Sequence, residues 1–408
     1  MSTTEAVDLL IVGGGMVGAS LACALKDKPL KIAIVEAVPL QSAQQPSYDD
    51  RAIALAYGSQ RIFQGMGLWS KLTSYATPIK KIHISDQGHF GVTRLDHRKE
   101  RVEALGQVVL GRNMGDVLAA QLSQQANVEL IMPATLDEIH YVAKGVQARV
   151  SQGAATRTIE AKLMVAADGS HSTVRQLLDI DSDNEDYGQT AIIANITPSK
   201  PHCNVAYERF TESGPLALLP MSDNRCSLVW TQHHDRVAEI MALSDEAFLA
   251  QLQASFGYRL GRLKFVGQRV AYPLGLMRAR EQIRPRVAVI GNAAHAIHPI
   301  AGQGFNLGLR DVAALAECLS DALSVGQDVG SLAVLQGYAE WRTQDHNEVI
   351  RMTDGLVRLF SRGDKGVALG RNLGLVVMEK LPPLKHLLSR QAMGLRGKQP
   401  RLNRGLPL

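Results

Sequence analysis

The sequence predicts an α/β fold in which a Rossmann-like nucleotide-binding domain carries an inserted antiparallel sheet and is followed by a helical C-terminal region. Two short β-branched runs near the N-terminus flank a glycine-rich turn and a helix-compatible stretch. Two later β-branched runs also end in glycine-bearing turns, and the segment between them has the pattern of antiparallel strands. The 408 residues suffice for two or three domains with substantial cores.

The nucleotide-binding part is predicted from four short strands. "DLLIVGG" (8–14) and "KIAIVE" (31–36) flank a helix-compatible stretch and form a βαβ unit. "KLMVAADG" (162–169) and "RVAVIGN" (286–292) resemble two further strands of the same parallel sheet. Because open α/β sheets bind ligands at the carboxyl ends of their strands, the turns that follow these runs are the expected binding region.

The middle of the chain predicts a different architecture. Residues 189–232 indicate antiparallel strands with turns at "SGP" and "SDN", and a helix is expected between an N-cap at Ser244 and a C-cap at Gly257. The chain therefore leaves the nucleotide-binding domain and re-enters it. The predicted division is a discontinuous nucleotide-binding domain over 1–70, 101–180 and 276–340, a substrate domain over 71–100 and 181–275, and a basic helical region over 341–408.

Composition and charge exclude several classes of protein. A hydrophobic fraction of 46% argues against disorder, and four widely spaced cysteines without a C-x-x-C pair suggest neither a zinc knuckle nor a disulfide framework. A reducing cytoplasmic location fits this cysteine usage best. Acidic residues and four glycines interrupt the apolar run at 6–25, so we expect a strand, a loop and a helix there rather than a signal peptide or membrane span.

The positive charge is concentrated at the C-terminus. Residues 355–408 contain eleven Lys or Arg against two acidic residues, a net charge of +9, so the net +5 of the chain leaves residues 1–354 at −4. Leucines and valines run through the same segment, which favours contact with a membrane surface or a protein partner over nucleic acid. The alternative is a solvated helix pair packed on the body. The last thirteen residues are expected to fray.

The first chemical motif is the glycine turn Gly13, Gly15 and Gly18. The first glycine permits a tight turn, the second lets the backbone approach a pyrophosphate, and the third lets the helix pack on the strand. Glu36 ends the next strand, where a carboxylate can accept hydrogen bonds from ribose hydroxyls. The motif alone also fits a purely structural turn. With the βαβ context it indicates a dinucleotide and leaves NAD and FAD open.

Two further motifs lie at strand ends. "AADGSHSTVR" (166–175) contains an Asp-Gly pair and by itself fits an ordinary helix cap. "GNAAHAIHPIAGQGFNLGLRDV" (291–312) is a glycine-rich loop followed by apolar residues at helical spacing. A helix starting near Gln303 directs the positive end of its dipole toward the loop. This end would stabilise a bound ligand that becomes anionic, such as a reduced flavin.

Taken together, these motifs resemble the FAD-dependent aromatic hydroxylases of the para-hydroxybenzoate hydroxylase type. In that family the glycine turn binds ADP, an Asp-Gly pair lies at the flavin and pyrophosphate, and a third motif binds the ribityl chain and isoalloxazine. Asp168 and Gly169 match the second motif. The third is matched by Gly291, Pro299, Gly302, Gln303, Gly304 and Asn306. Asn292 replaces the usual aspartate and can still accept a ribityl hydrogen bond through its amide oxygen.

A closer resemblance is to the hydroxylases of ubiquinone biosynthesis, and it spans nearly the whole chain. The stretches that carry it are "DDRAIALAYGS" (49–59), "ALGQVV" (104–109), "ERFTESGPLALLPMSDNRCSLVW" (208–230), "HPIAGQGFNLGLRDV" (298–312) and "GRNLGLVVME" (370–379). The resemblance implies that Arg51 faces the flavin and that Arg112 reaches the pyrophosphate. The alternative for each arginine is an ion pair at the protein surface.

The resemblance also implies a reaction. NAD(P)H, visiting transiently because no second dinucleotide motif is present, reduces FAD, and a flavin C4a-hydroperoxide then transfers oxygen from O2 to a polyprenylated phenol. We expect Pro299, His298 and Arg51 to act at the reacting side of the flavin and no protein base to be essential. The rival hypotheses are a flavin-dependent reductase or dehydrogenase acting on a lipid and a flavoprotein scaffold without catalysis.

His295 and His298 raise the question of a metal. Their sequence neighbours include no Cys, Asp or Glu that could complete a coordination shell. We therefore expect no metal site, and we expect His295 to bond to local backbone. Trp230 and Phe210 are expected in the core rather than in a substrate pocket.

Overall fold

The computed structural model describes residues 4–39, 51–360 and 365–408. Asp49 and Asp50, which belong to one of the stretches behind the resemblance, lie outside this range. Strands and helices are numbered in chain order below. Within the described residues the strands form three sheets, of eight, nine and three strands.

The first sheet is the predicted parallel sheet. Its strand order is β18-β19-β11-β1-β2-β8, and β10 and β9 continue from β11 as antiparallel neighbours. The predicted strands are β1, β2, β11 and β19, and they pair in parallel as expected. The bounds are β1 Thr4–Val12, β2 Ile32–Val35, β8 Val128–Ile131, β9 Thr135–Val142, β10 Gly145–Gln152, β11 Ala155–Ala166, β18 Ile283–Arg284 and β19 Val287–Val289.

The second sheet confirms the antiparallel middle segment. Its order is β20-β17-β12-β15-β14-β13-β5-β6 with β16 beside β12, and of these pairs only β13 with β5 is parallel. The two predicted turns join β13 to β14 and β14 to β15. The bounds are β5 Lys81–Asp86, β6 Val92–Asp96, β12 Ser182–Pro198, β13 Val205–Thr211, β14 Gly214–Pro220, β15 Cys226–His233, β16 Leu263–Val266, β17 Val270–Ala279 and β20 His295–Ala296.

A third, small sheet joins the two large ones. It consists of β3 Ala52–Ala56, β7 Gly106–Leu110 and β4 Thr77–Ile79 in that order. The sequence analysis did not anticipate it. Strand β20 also connects the large sheets, because it follows β19 of the first sheet by a few residues yet pairs with β17 of the second.

The helices lie around these sheets. Ser244 caps α7 by accepting the Ala247 N–H, and Gly257 ends it with φ +86°, as predicted. The predicted boundary at residue 340 lies inside α9. The bounds are α1 Met16–Ala24, α2 Tyr57–Gly65, α3 Trp69–Leu72, α4 Gly111–Leu122, α5 Thr173–Leu177, α6 His234–Ala242, α7 Asp245–Phe256, α8 Gln303–Ser324, α9 Leu332–Phe360, α10 Lys365–Lys380 and α11 Pro382–Ala392.

Each large sheet has its own core. Helices α1, α4 and α8 cover one face of the first sheet with aliphatic side chains. Trp230, fully buried in β15, packs edge-on against Phe248 of α7 with ring centroids 5.6 Å apart and lies in an apolar core, as predicted. Phe210 is also buried in an apolar cluster, but it borders the cavity described below, so its assignment to the core alone is wrong. Within the described residues, no helix combines the length and apolar character needed to cross a bilayer.

The expectation of a frayed C-terminus is wrong. Leu402 is buried in the core of the first sheet, and Asn403 is buried beside α2. A Cβ added at Gly58 would lie 2.8 Å from Asn403 Oδ1, and one at Gly65 would lie 2.7 Å from the Leu406 carbonyl oxygen. The two glycines of α2 thus allow the C-terminal segment to approach closely, a contact between residues more than 300 positions apart that local sequence does not reveal.

Candidate active site

The three motif turns border one cavity of about 870 Å³ between the first and second sheets. The first turn contributes Gly13 and Gly15, and the second contributes Asp168 and Gly169. The third contributes Asn292, Pro299, Gly302, Gln303 and Gly304. The strand ends of the first sheet therefore form one side of the cavity, and mostly apolar residues of the second sheet form the other.

The first turn is packed so tightly that glycine is required at two positions. Gly13 has φ +102°, and a Cβ there would lie 2.5 Å from the Ala167 carbonyl oxygen. A Cβ at Gly18 would lie 2.0 Å from the Gly13 carbonyl oxygen. Gly15 differs, because an added Cβ would meet no atom within 4 Å. Gly15 therefore presents open backbone at the N-terminus of α1, where a phosphate can approach.

Glu36 is held in a fixed orientation at the end of β2. Its Oε2 accepts the Gly14 N–H at 2.6 Å, and its Oε1 accepts the Val38 N–H at 2.9 Å. Each carboxylate oxygen retains a further lone pair for an outside donor. Since Glu36 also borders the cavity, its position suits ribose hydroxyls.

Asp168 is both a helix-terminus residue and a cavity residue. Its Oδ2 accepts the Val174 N–H at 3.1 Å, while its buried Oδ1 has no hydrogen-bond partner among the residues described. Burial raises the pKa of this carboxyl, against the opposing effect of its hydrogen bonds. A buried acceptor without a donor is costly. A cofactor hydroxyl in the cavity would satisfy it, so this site fits FAD.

The third turn is shaped by two left-handed glycines. Gly291 has φ +60° and its Cβ position lies 2.9 Å from Val17 Cγ1, while Gly302 has φ +62° and its Cβ position lies 3.0 Å from Ala54 Cβ. Gly304 faces open space. Gly302 caps α8 without a side-chain hydrogen bond, so the first turn of α8 offers backbone N–H groups and a positive dipole end beside the cavity.

Asn306 fastens this turn to β3. Its Oδ1 accepts the Ala56 N–H at 2.8 Å, and its Nδ2 donates to the carbonyl oxygens of Ala54 at 2.8 Å and Gly302 at 2.5 Å. Asn306 is fully buried and does not border the cavity. Its side chain is therefore committed to the protein and positions Gly302.

The two motif arginines occupy different environments. Arg51 borders the cavity, and its guanidinium lies 5.0 Å from the ring centroid of Tyr272. Arg112 is exposed in the first turn of α4 and is not part of the cavity wall. The neighbouring Gly111 N–H donates to the Arg51 carbonyl oxygen at 2.9 Å, so the start of α4 and the chain entering β3 are held together.

Pro299 borders the cavity, whereas His298 lies behind it. The His298 ring is buried and packs edge-on against Tyr187, with centroids 5.6 Å apart. Burial lowers the pKa of His298 to about 4, so its ring is neutral near pH 7. Neutral and out of the wall, His298 is placed to support Pro299.

The structure corrects the sequence interpretation of His295, which does not bond to local backbone. Its Nε2 lies 2.7 Å from Asp311 Oδ2, and the Asp311 Oδ1 is 2.6 Å from His346 Nε2 and 2.8 Å from Arg342 Nε. Asp311 also accepts the Gly291 N–H at 3.1 Å. The sequence neighbours of His295 gave no signal because Asp311 and His346 come from α8 and α9.

This Asp311 cluster has three ligand-type atoms within 4.8 Å of one another, all buried. Burial alone would raise the pKa of Asp311, but the adjoining His346, His295 and Arg342 hold it well below its usual range. Because the Arg342 guanidinium already neutralises the same carboxylate, a second cation there is electrostatically unfavourable. We infer that the Asp311 cluster has a structural role and holds the third turn against α8 and α9 through hydrogen bonds and an ion pair.

The sequence analysis missed Glu208. This residue lies in β13, borders the cavity, and shares a strand face with Ala206 and Phe210, which both pack into apolar clusters. Burial raises the pKa of Glu208 to about 7. The available signal was the strand alternation of "VAYERFT", which places Glu208 on the same side as the apolar Ala206 and Phe210.

Helices α9, α10 and α11 close the far end of the cavity. Their inward side chains there are apolar, namely Met352, Leu356, Leu375, Met378, Leu388 and Ala392. The Thr93 hydroxyl donates to the Leu375 carbonyl oxygen at 2.8 Å, and Arg371 pairs with Asp86 at 2.8 Å. These contacts hold α10 against β5 and β6.

A parallel sheet whose glycine turns meet at a long cavity, walled on the opposite side by an antiparallel sheet, defines a flavoprotein of the monooxygenase class. The model of the FAD binding domain family matches residues 6–353. The chain belongs to this FAD binding domain family.

Several relatives match almost the whole chain. It is 39% identical over 415 residues to ubiquinone hydroxylase UbiL of Rhodospirillum rubrum, covering 100% of this chain and 95% of the relative. It is 30% identical to the human mitochondrial ubiquinone biosynthesis monooxygenase COQ6, covering 94% and 92%. Identity to ubiquinone hydroxylase UbiM of Neisseria meningitidis is 31%, with coverage of 95% and 84%.

Solved structures support the fold. p-Nitrophenol 4-monooxygenase PnpA from Pseudomonas putida superposes with a TM-score of 0.80 at 20% identity, covering 97% of this chain and 100% of that one. PqsL from Pseudomonas aeruginosa, described as a probable FAD-dependent monooxygenase, gives 0.75 at 23% identity, covering 90% and 99%.

Proposed function

We propose that this enzyme hydroxylates the aromatic ring of a polyprenylated phenol in ubiquinone biosynthesis, with O2 and NAD(P)H as co-substrates. The observation that carries the proposal is the single cavity, which runs from the three glycine turns past the apolar wall of the second sheet to α9–α11. Bound FAD supplies the redox chemistry, taking a hydride from NAD(P)H and activating O2. The protein binds, orients and excludes water.

The proposed roles follow from the contacts. Gly13, Gly15 and Gly18 hold the pyrophosphate with Arg112 as an outer cation, and Glu36 binds ribose. Asp168, Gly169 and Asn292 bind the flavin's linker. The third turn, which extends from Gly291 to Asn306, contacts the flavin ring through Gly302, Gln303 and Gly304. Pro299, supported by His298, and Arg51 shape the side of the flavin on which the substrate reacts.

We propose the same domain division, with the substrate domain built from 71–100 and 181–275, except that the boundaries at 70, 275 and 340 fall inside α3, β17 and α9 and move to the ends of those elements. That division is supported by β5 and β6 pairing with the strands of the middle segment. The motifs resemble those of 2-polyprenyl-6-methoxyphenol hydroxylase, so we propose a ring of that kind as substrate.

The direct test uses purified protein with bound FAD, NADPH, 18O2 and a 2-polyprenylphenol of short chain. We expect NADPH oxidation that depends on the phenol and a product heavier by one 18O atom. Flavin reduction without 18O in the product would favour the rival reductase or dehydrogenase. Flavin that NADPH does not bleach even with substrate present would favour the scaffold.

We further propose that α10 and α11 dock on the surface of an anionic bilayer, which supplies the substrate. Six apolar side chains on these helices and at the residue that joins them are between 42% and 55% exposed: Leu369, Leu373, Val377, Leu381, Leu384 and Leu387. Leu375, Met378 and Leu388 of the same helices border the cavity. An apolar route from bilayer to cavity would suit a polyprenyl tail, and the basic C-terminal region complements anionic headgroups.

Vesicle flotation tests this docking. Leu384→Ser combined with Leu387→Ser should lower binding to vesicles of phosphatidylcholine and phosphatidylglycerol while FAD stays bound. Val325→Ser, which changes a side chain 68% exposed outside this surface, is the matched control. Equal vesicle binding by the double variant and the control would contradict the proposal. Flotation of the wild type on uncharged vesicles only when a partner protein is present would favour docking to a protein instead.

A further inference from the structure

Glu208 is the one carboxyl group that the second sheet contributes to the cavity wall within the described residues. It pairs across β13 with Ile84 of β5 and Ala217 of β14, both of which also border the cavity. Toward one end of β13, Ala206 packs with side chains of the small third sheet. Toward the other end, Phe210 packs with Leu356 and Leu375 of α9 and α10.

The surroundings of Glu208 leave its charge uncompensated. No hydrogen bond or ion pair of its side chain occurs among the residues described, and burial is the only cause that raises its pKa to about 7. The neighbouring side chains are uncharged. Ile84 of β5 and Ala217 of β14 lie beside Glu208 in the sheet, and the clusters around Ala206 and Phe210 add Ala54 of β3, Leu356 of α9 and Leu375 of α10.

The other side chains in the wall that carry a charge near neutral pH are already engaged elsewhere. Glu36 accepts two backbone N–H groups, Asp168 accepts one at the start of α5, and Arg51 stacks on Tyr272. All three come from the cofactor-side turns and the start of β3. A carboxyl in an apolar wall is costly unless a ligand satisfies it. The ligand that fits is one with an apolar body and a single hydroxyl donor.

We propose that Glu208 binds the ring hydroxyl of the phenolic substrate and acts as its proton acceptor. This proposal rests on the proposed function and revises the sequence-based expectation that no protein base is essential. A carboxyl whose proton equilibrium lies near neutral pH is suited to such exchange. The hydrogen bond would also fix which ring carbon faces the flavin.

The proton is conserved through the cycle. The phenolic O–H bond breaks as an O–H bond forms on the Glu208 carboxylate, and the resulting phenolate is the more electron-rich nucleophile. One oxygen atom of O2 becomes the new ring hydroxyl oxygen, and NAD(P)H supplies the two electrons. Three hydrogens, namely the hydride hydrogen of NAD(P)H, one solvent proton and the proton lost from the substituted ring carbon, become the hydrogen of the new hydroxyl and the two hydrogens of the water made from the other oxygen atom. Glu208 then returns its proton to the original ring oxygen.

The test compares Glu208→Gln with Glu212→Gln, an isosteric change at an exposed glutamate in the turn after the same strand. The probe is 2-geranylphenol, with its methyl ether as a ligand that cannot donate. In the wild type, hydroxylation should rise with pH through about 7 and then level off. Glu208→Gln should lose that inflection and at least about 100-fold in rate at pH 8. The FAD content of both variants should stay at the wild-type value.

Binding gives a second readout. The wild type should bind 2-geranylphenol more tightly than its methyl ether, and this preference should be lost in Glu208→Gln but kept in Glu212→Gln. Equal hydroxylation rates and pH profiles in all three proteins would overturn the role of Glu208 while leaving the hydroxylase function intact. A wild type that inserts no oxygen into 2-geranylphenol would instead overturn the proposed function. A variant that loses FAD would be replaced by Glu208→Asp, for which we expect a displaced but present inflection, and its absence would count against the proposal.

Discussion

Replacing Gly15 and Gly18 one at a time by alanine should separate cofactor binding from folding. At Gly18 the new Cβ would lie 2.0 Å from a backbone carbonyl oxygen, which must move by about 1 Å to reach even the 3.0 Å limit of real contacts. Such overpacking costs about 3 kcal/mol at the upper end, against about 1 kcal/mol gained in helix propensity. The net loss of unfolding free energy should be about 2 kcal/mol.

At Gly15 the backbone is extended, with φ −62° and ψ −178°, and the new Cβ would meet no protein atom within 4 Å. We expect the apoprotein stability to change by less than about 0.5 kcal/mol. The methyl group would nonetheless occupy the approach to the α1 N-terminus. Loss of one hydrogen bond to a charged phosphate costs about 1.5–3 kcal/mol, which corresponds to roughly 10-fold to 100-fold weaker FAD binding.

The assays are urea unfolding of the apoprotein followed by circular dichroism and titration of the apoprotein with FAD followed by flavin fluorescence. Gly18→Ala should shift the unfolding midpoint, whereas Gly15→Ala should shift only the FAD titration. Wild-type FAD affinity in Gly15→Ala would refute the assignment of this turn to the pyrophosphate.

Other predictions concern the buried charges and the third turn. Arg342→Met should lower the free energy of unfolding by about 3–5 kcal/mol, because it leaves the buried Asp311 carboxylate without its guanidinium, and unchanged urea unfolding would contradict that account. Folding lowers the pKa of His346 and His298 from 6.5 to about 4, so the unfolded chain binds more protons between these pH values. The contribution of these histidines to the free energy of unfolding should therefore be complete above pH 6.5. Between pH 6.5 and pH 4 it should fall by about 1.4 kcal/mol per pH unit for each histidine. Urea unfolding at pH 7, 6 and 5 measures this slope. His298→Phe should reduce the slope by the contribution of one histidine, about 1.4 kcal/mol per pH unit. Gly302→Leu should abolish flavin retention, since φ +62° and the Ala54 contact exclude a side chain, and a fully yellow variant would contradict this.

The parallel sheet could be predicted because its signals are local. Each strand is a short β-branched run that ends in a glycine turn, and the α7 caps at Ser244 and Gly257 are likewise encoded by residues at the helix ends. The convergence of the three turns then follows from the geometry of parallel strands, whose carboxyl ends share one edge.

The missed features depend on pairings between distant residues. The Asp311 cluster joins positions 16 and 35 residues apart along the chain, and Asn306 reaches back about 250 residues to β3. Neither partner is visible in a local window. Glu208 was overlooked for another reason: its neighbours Arg209 and Thr211 make the segment polar on average, and only the assignment of strand faces identifies the inward position.

Helices α10 and α11 expose leucines on one side and line the cavity with other side chains. For an enzyme fed through such a surface, the relevant substrate quantity is a density per unit area of bilayer, not a molarity. Turnover would then obey surface dilution: adding substrate-free vesicle lipid at constant total phenol slows the reaction, while diluting the whole suspension hardly alters the rate per bound enzyme.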